Sequence, residues 1–196
     1  MKPCSAASER NKGPILDVLR DMFRADDVVL EIGSGTGQHA VHFARSLPEV
    51  HWLATDRVEN HPGIVAWVKD ADLDNLTGPL ELDVNMDPWP DVEVSAVYSA
   101  NTAHIMSWDE VQMMFRGVGR LLSEGDPFCL YGPFNYSGEF TSESNRTFDT
   151  SLRSQVSHMG IRDLDDLSVI AVRNHLVLDH DLEMPANNRL LVWRHT

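Results

Sequence analysis

Residues 28–38 read V-V-L-E-I-G-S-G-T-G-Q, a short apolar run followed by three glycines at alternate positions. The run has the length and the β-branched content of a buried strand, and helical spacing resumes after the glycines. A glycine-rich turn between a strand and a helix lets the main chain approach a ligand closely and directs backbone N–H groups at it. This stretch therefore predicts a ligand-binding turn at the first strand of an α/β sheet.

The rest of the chain alternates between strand and helix patterns. Predicted helices cover 14–23 (with Pro14 at the first helical position), 38–47, 61–73, a segment capped by Ser107 that runs to 122, 143–159, and a short one from Asp163. Predicted strands cover 28–32, 51–55, 79–84, 92–100, 127–131, 176–182 and 189–194. Strands separated by helices predict a parallel sheet, whereas the last two strands are joined by a tight turn and are predicted to pair antiparallel.

These patterns predict an α/β fold of the Rossmann-like kind, with a mostly parallel seven-stranded sheet, an antiparallel C-terminal strand and helices on both faces. The length of 196 residues predicts a single domain over 1–196, with an N-terminal helical segment at 8–24. The sequence has neither a secretory signal nor an apolar run long enough to cross a bilayer, so we expect a cytoplasmic protein without membrane contact. Homodimerisation stays open.

The charge balance is strongly acidic. The chain has 30 Asp plus Glu against 16 Lys plus Arg, a formal net charge of −14, and no basic cluster. Such a surface repels phosphate backbones, so we expect no nucleic-acid partner and favour a small-molecule substrate. The two cysteines have neither disulfide nor zinc spacing, and Asp179 and His180 fall on opposite faces of a strand, so no metal site is predicted.

Three carboxylates follow the ends of three successive predicted strands. Glu31 precedes the glycines, Asp56 comes 19 residues after Gly37, and Asp83 ends the third strand. A carboxylate about 20 residues after the turn suits a ribose diol, and Asp83 with the Val84 amide suits an adenine. Glu31 would repel a pyrophosphate, but it suits a ligand that carries an ammonium and a sulfonium, which predicts S-adenosylmethionine as the cofactor.

Several stretches together resemble class I S-adenosylmethionine-dependent methyltransferases, and within them a small, functionally uncharacterised methyltransferase-like family. They are 8–11, 14–16, 31–43, 101–108, 131–134, 141–145 and 184–188. The resemblance implies the fold and the cofactor and supplies no substrate. The predicted cofactor-binding residues are Asn11, Glu31, Gly33, Ser34, Gly35, Thr36, Gly37, Asp56, Asp83, Val84 and Asn101.

The remaining pocket residues are candidates for chemistry on an acceptor. His104, in the loop after the fourth strand, is a candidate general base near neutral pH, or a residue that positions the loop. Residues 131–145 form a long polar stretch with interleaved aromatics, interpreted as a lid over the substrate or as a packed surface loop. The predicted catalytic residues are His104 and Tyr136, and the predicted substrate residues are Arg10, Tyr131, Asn135, Glu139, Ser142 and Asn145.

We consider three functions at this point. The first is a methyltransferase that acts on a small molecule. The second is a non-catalytic module that binds S-adenosylmethionine or S-adenosylhomocysteine, since no catalytic base is evident. The third is an NAD-dependent oxidoreductase, which the G-x-G-x-G spacing disfavours because dinucleotide sites use G-x-G-x-x-G.

Overall fold

The computed structural model describes residues 2–196 and contains six α-helices and nine strands within them. The helices are Ala6–Met22 (α1), Gln38–Ser46 (α2), His61–Ala71 (α3), Trp108–Leu121 (α4), Glu143–Gln155 (α5) and Leu164–Arg173 (α6). The strands are Val28–Ile32 (β1), His51–Asp56 (β2), Leu76–Glu81 (β3), Ala96–Ala100 (β4), Pro127–Gly132 (β5), Phe134–Asn135 (β6), Arg162–Asp163 (β7), Leu176–Met184 (β8) and Asn188–His195 (β9). None of the helices within 2–196 combines the length and the apolar character that a membrane crossing requires.

Contacts divide the chain into two compact units, residues 1–99 and 100–196. In the first unit β1 is parallel to both β2 and β4, and β2 is parallel to β3. The register places Val28 opposite His51, so β1 and β2 end together. The core of this unit is an aromatic cluster in which the rings of Phe43, Trp52 and Tyr98 lie 5.3–5.6 Å apart.

In the second unit β9 pairs antiparallel with both β5 and β8. The turn between β8 and β9 is tight because Ala186 and Asn187 both adopt left-handed backbone conformations, with φ of 59° and 58°. Phe115, Phe128 and Trp193 form the aromatic core, with ring centroids 5.2–5.6 Å apart. A second, two-stranded parallel pair joins β6 to β7.

The strand order β3-β2-β1-β4-β5-β9-β8 in one seven-stranded sheet confirms the predicted α/β class. The prediction of a mostly parallel sheet with an antiparallel C-terminal strand is also confirmed, with β9 as that strand. The prediction of a single domain stays a prediction.

The prediction for the first helix placed its start too late. The helix α1 begins at Ala6, and Ser5 caps it by accepting a hydrogen bond from the Ser8 backbone N–H at 3.2 Å. Pro14 therefore lies inside the helix and not at its first position. The N-terminal helical segment predicted at 8–24 is present, with both ends shifted by two residues.

Three further boundaries differ from the prediction. The strand β3 covers 76–81, so Asp83 lies two residues beyond its end, and β4 begins at Ala96 because residues 92–95 join no named strand. The helix α5 ends at Gln155, where Val156 takes up an extended conformation. The segment 131–145 is not a long loop: it contains the end of β5, all of β6 and the start of α5.

Candidate functional site

The glycine loop connects β1 to α2 in a conformation that other residues rarely adopt. Gly33, Gly35 and Gly37 have φ of 72°, 58° and 86°, all in the left-handed region. At Gly37 an added Cβ would lie 3.0 Å from the Cα of Ile64 in α3. Glycine is therefore required there both for the turn and for the close approach of two helices.

Glu31 is a buried carboxylate directly before this loop, with 2% of its surface exposed. Its Oε2 accepts hydrogen bonds from the Ser34 hydroxyl at 2.9 Å and from the Trp52 indole N–H at 3.0 Å. Burial raises the pKa of the Glu31 carboxyl to about 7, although these two hydrogen bonds act in the opposite direction. The negative charge of Asp56 adds a smaller rise. A cation bound nearby would favour the ionised carboxylate.

Asp56 ends β2 and holds the glycine loop in place. Its Oδ2 accepts from the Gly35 backbone N–H at 2.6 Å, and its Oδ1 accepts from the Arg57 backbone N–H and the Asn60 side chain, both at 2.8 Å. A carboxylate has about four acceptor positions, so these three hydrogen bonds leave room for one further donor. The hydroxyl of a ribose is such a donor.

Asp83 and Val84 lie in a turn that follows β3. The Oδ1 of Asp83 accepts from the backbone N–H of Asn85 at 2.9 Å and from its side chain at 3.0 Å. Val84 is buried, and its carbonyl accepts from the Trp89 indole at 3.2 Å. The Leu82 N–H donates to the Asp56 carbonyl at 3.0 Å, so this turn is tied to the end of β2. The structure thus brings the Asp56 and Asp83 segments together.

Two exposed apolar residues near these carboxylates escaped the sequence analysis. Val58 is 53% exposed two residues after Asp56, and Met86 is 38% exposed three residues after Asp83. The Asp83 N–H donates to the Met86 thioether at 3.4 Å. In the sequence, each of these residues is only an apolar residue within a polar stretch, a pattern too common to indicate a binding site.

Asn11 and the start of α2 connect the N-terminal helix to the glycine loop. The Oδ1 of Asn11 lies 2.8 Å from the Nε2 of His39, and burial lowers the pKa of His39 to about 4, so its ring is neutral and donates this hydrogen bond. Gln38 binds the Glu9 carboxylate at 2.7 Å and the Thr36 hydroxyl at 3.0 Å, and it also accepts from the Ser5 backbone. Asn11 therefore fixes α1, and its predicted contact with the cofactor stays a prediction.

Arg10 lies exposed on the same helix. Its predicted contact with the substrate stays a prediction as well.

In the second unit, hydrogen bonds to backbone atoms hold the loop after β4 in place. Asn101 has a left-handed φ of 59°, and its N–H donates to the carbonyl of Tyr131, a buried residue of β5, at 2.9 Å. The guanidinium of Arg162 donates to the carbonyls of Ala103 at 3.0 Å, of Met106, and of His158 at 3.0 Å. Arg162 was missed by the sequence analysis because its partners are backbone atoms up to 59 residues away.

His104 lies in the middle of this loop, with 7% of its surface exposed. Its ring packs edge-on against Phe148 with the centroids 5.3 Å apart, and its carbonyl accepts from the Gly160 N–H at 2.9 Å. Burial, aided by the positive charge of Arg162, lowers the pKa of His104 to about 4. The imidazole is therefore neutral at physiological pH, and it is a weaker base than an exposed histidine.

Tyr136, a predicted catalytic residue, has a hydrogen-bond partner in the second unit. Its hydroxyl donates to Asp181 at 2.8 Å, and Arg189 donates to the other oxygen of the same carboxylate at 2.7 Å. Burial and the bond to Asp181 raise the pKa of Tyr136, so the phenol holds its proton firmly. The structure thus shows Tyr136 as a hydrogen-bond donor to Asp181, and its catalytic role stays a prediction.

The predicted substrate residues of the segment 131–145 fall into two groups. Ser142 caps α5 by accepting from the Asn145 N–H at 3.1 Å, and the Asn145 side chain donates to Thr141 at 2.8 Å. Glu139 is exposed and pairs with Tyr136 through the backbone. Asn135 is different: it is 9% exposed, and its side-chain oxygen has no hydrogen-bond partner within residues 2–196.

No group of three or more potential metal-ligating side chains occurs within residues 2–196. Asp179 and Asp181 are instead engaged by Arg194 at 2.9 Å and by Arg189 at 2.7 Å.

A family model described as "Protein of unknown function (DUF938)" matches residues 2–195. The chain belongs to this family.

Solved structures share the fold at low sequence identity. An O-methyltransferase family protein from Burkholderia thailandensis is 13% identical with a TM-score of 0.81, over 94% of this chain and 56% of that one. An O-methyltransferase family 2 protein from Planctomyces limnophilus, solved with apigenin, is 15% identical with a TM-score of 0.85, over 97% and 58%. YcgJ from Bacillus subtilis is 20% identical with a TM-score of 0.71, over 89% and 71%. The chain thus spans little more than half the length of the first two proteins.

Two of the stretches that resemble the DUF938-type family contact each other. The Asn145 side chain donates to the carbonyl of Asn187 at 3.0 Å, and the Asn187 side chain donates to the Ser144 hydroxyl at 3.0 Å. These bonds tie the start of α5 to the left-handed turn between β8 and β9. Both stretches therefore have a structural role in this chain.

Proposed function

We propose that this DUF938 chain binds S-adenosylmethionine at the loop 31–37 and transfers its methyl group to a hydroxyl of a small molecule. The observation that carries the proposal is the buried carboxylate of Glu31 behind a left-handed glycine loop, with Asp56 and Asp83 following the next two strands. A buried carboxylate is costly to ionise without a positive partner. A cationic cofactor supplies that partner.

The donor set fits this cofactor better than a dinucleotide. Three carboxylates around the loop would repel a pyrophosphate, whereas a sulfonium and an ammonium are attracted to them. Gln38 stands where the dinucleotide pattern has its third glycine, and its side chain is occupied by Glu9 and Thr36. An NAD-dependent oxidoreductase is therefore the less supported alternative.

Each residue of the loop region has a task in this proposal. When bound, S-adenosylmethionine supplies a methyl group on a positively charged sulfur. Glu31 balances positive charge, Asp56 accepts from the ribose through its remaining acceptor position, and Asp83 accepts from the adenine amine. Val58 and Met86 offer exposed apolar surface to the adenine ring.

His104 is the candidate general base of the second unit. A hydroxyl needs to lose its proton as its oxygen attacks the methyl carbon, and a neutral imidazole within hydrogen-bond reach takes that proton. The Arg162 guanidinium holds the carbonyls on both sides of His104 and opposes protonation of its ring. Oxygen as the acceptor atom is supported by structural neighbours that are named O-methyltransferases.

Calorimetric titration with S-adenosylhomocysteine tests the cofactor. We expect saturable binding by the wild-type protein and at least a tenfold weaker affinity for Asp56→Ala, since one hydrogen bond to a charged group contributes about 1.5–3 kcal/mol. Glu49→Gln is the matched control, because Glu49 is an exposed carboxyl at the opposite end of β2. Thermal melting of each variant checks that it is folded. Absence of binding by the wild type would remove the basis of the proposal.

Transfer of labelled methyl groups tests catalysis. We expect label from S-adenosylmethionine to enter a small-molecule fraction of a cell extract, and the transfer to be lost in Asp56→Ala. Binding of S-adenosylhomocysteine without any transfer would favour a non-catalytic binding module instead.

A further inference from the structure

The helix α6 buries one face and exposes two valines on the other. Its buried residues are Leu164, Leu167, Ile170 and Ala171. On the opposite face Val169 is 52% exposed and Val172 is 66% exposed, which is the largest exposure of any large apolar side chain within residues 2–196. Residues three apart share one face of a helix, so these two valines lie side by side.

The exposed valines of this region form a cluster. Val177, near the start of β8, is 48% exposed, so three of the eight exposed large apolar side chains within residues 2–196 lie between 169 and 177. The His175 N–H donates to the carbonyl of Val172 at 3.2 Å, so the chain turns directly after the helix. Single exposed apolar residues are common on protein surfaces, whereas a group of them indicates an interaction site.

Charged residues lie at the two ends of the same exposed face. Asp166 lies three residues before Val169, and Arg173 lies four residues after it. Both side chains are exposed, and neither takes part in a hydrogen bond or an ion pair within residues 2–196. The neighbouring Asp165 differs, because it accepts a hydrogen bond from the Ser137 hydroxyl at 2.8 Å. Along the helix the face therefore presents an unpaired acid, two valines and an unpaired base.

This order makes the face complementary to itself. When two copies of a helix pack antiparallel about a two-fold axis, the N-terminal end of each lies beside the C-terminal end of the other. If the axis passes near Val169 and Val172, the valines of the two copies meet at the usual separation of about 8–10 Å between helix axes. Arg173 of each copy then lies beside Asp166 of the other copy, which gives two equivalent ion pairs.

The size and charge of this surface limit the strength of such a contact. The net charge of −14 opposes association, although salt at physiological concentration screens charges more than about 8 Å apart. A pair of ten-residue helices buries less than the roughly 1,200–2,000 Å² of a stable interface. We therefore expect a weak dimer whose population depends on protein concentration.

We propose that α6 is the contact surface of a weak homodimer, in which the exposed faces of two copies pack antiparallel and Arg173 of each copy pairs with Asp166 of the other. The surface lies within residues 164–177 of the second unit. The inference is therefore independent of the proposed function.

The two charges also have an explanation within a single copy. An acidic residue in the first turn and a basic residue in the last turn stabilise a helix through its dipole. This explanation accounts for Asp166 and Arg173 but not for the exposed valines. The two explanations differ when both charges are exchanged, because the dipole interaction is then unfavourable at both ends while the pairing between copies is restored.

Sedimentation equilibrium over a range of protein concentrations tests the dimer. We expect the dimer fraction of the wild type to rise with concentration, and Val169→Ser to weaken association about fivefold or more, because apolar contact is lost from both copies. Val58→Ser is the matched control, since Val58 is 53% exposed in the first unit, and it should associate as the wild type does. A wild type that stays monomeric up to about 1 mM overturns the inference.

Exchange of the charges tests the pairing. Asp166→Arg and Arg173→Asp should each weaken the dimer about fivefold or more, since the symmetry introduces every repulsive contact twice. The double variant should associate as the wild type does although its Tm is the lowest of the set, and so should an equimolar mixture of the two single variants. The mixture keeps the test decisive if the double variant fails to fold. Single variants that associate as the wild type does, or a folded mixture that stays monomeric, overturn the inference.

Discussion

Replacing Glu31 by glutamine should stabilise the protein in a pH-dependent way. Burial raises the pKa of this carboxyl from 4.5 to about 7. Between pH 4.5 and pH 7 the carboxyl of Glu31 ionises in the unfolded state but stays largely protonated in the folded state. The wild-type protein therefore has the full benefit of a protonated Glu31 only below about pH 4.5, and that benefit is lost as the pH rises through 7.

The size of this effect follows from the two pKa values. Between pH 5.5 and pH 8 the wild type is expected to lose about 2 kcal/mol of stability relative to Glu31→Gln. Glutamine still accepts from Ser34 and Trp52 through its side-chain oxygen, and any fixed cost of its NH₂ group cancels in the comparison of two pH values. For a chain of this size, about 2 kcal/mol corresponds to a change of about 4–8 °C in the Tm difference.

Thermal or urea denaturation at the two pH values measures the difference. The lower pH stays above the pI of about 4.9, where an acidic protein is prone to precipitate. Glu49→Gln is again the matched control, because it removes one negative charge from an exposed position. A Tm difference between Glu31→Gln and the wild type that is the same at both pH values would refute the reasoning, since it would mean that Glu31 does not titrate in this range.

Further predictions follow from other parts of the molecule. Gly37→Ala should destabilise the protein by about 1–3 kcal/mol, because Gly37 has a positive φ and lies against α3. Gly13→Ala should stabilise it by about 0.5–1 kcal/mol, because the space around Gly13 in α1 is open and alanine favours the helix. Urea denaturation measures both changes. Tyr136→Phe should cost about 0.5–1.5 kcal/mol for the lost bond to Asp181 and leave methyl transfer unchanged, and a large loss of kcat would instead support the predicted catalytic role of Tyr136. The kcat/KM for S-adenosylmethionine should fall as the pH drops below about 7, where Glu31 becomes protonated. In Glu31→Gln the midpoint of this fall should move towards pH 4, the pKa of His104. A pH–rate profile of both proteins measures the two midpoints.

The sequence predicted the part of the candidate site whose residues are close together along the chain. The strand, the glycines and the carboxylate of residues 28–37 are consecutive, and the geometry of parallel strands brings the end of β2 beside them. Asp56 could be placed because β1 and β2 end together in register. Its hydrogen bond to Gly35 was beyond such reasoning, because it depends on the folded shape of the loop.

The errors concern segments whose partners are distant in sequence. Pro14 was placed at a helix start by a local rule, but the preceding turns of α1 are held by Gln38 and His39 of another helix. The polar stretch after β5 is predicted to be a lid or a packed surface loop, because serines and asparagines favour loops. In the folded chain the Gly138 N–H donates to Asp163 at 2.7 Å, and the Asn145 side chain donates to the Asn187 carbonyl. These hydrogen bonds to residues distant in sequence give a fixed structure to a segment whose composition is typical of a loop.

Burial has opposite consequences for the two candidate functional groups, Glu31 of the first unit and His104 of the second. Burial raises the pKa of Glu31 and lowers that of His104, because in both cases the low-dielectric surroundings disfavour the charged form. For His104 the neutral form is the one that accepts a proton, and burial keeps the ring in that form above about pH 4 while it also weakens the ring as a base. For Glu31 the charged form is the useful one, so burial opposes its function until a cation is bound. A bound cofactor thus has to supply the free energy that ionises Glu31, which makes cofactor binding, and not proton removal by His104, the step that acid should inhibit first.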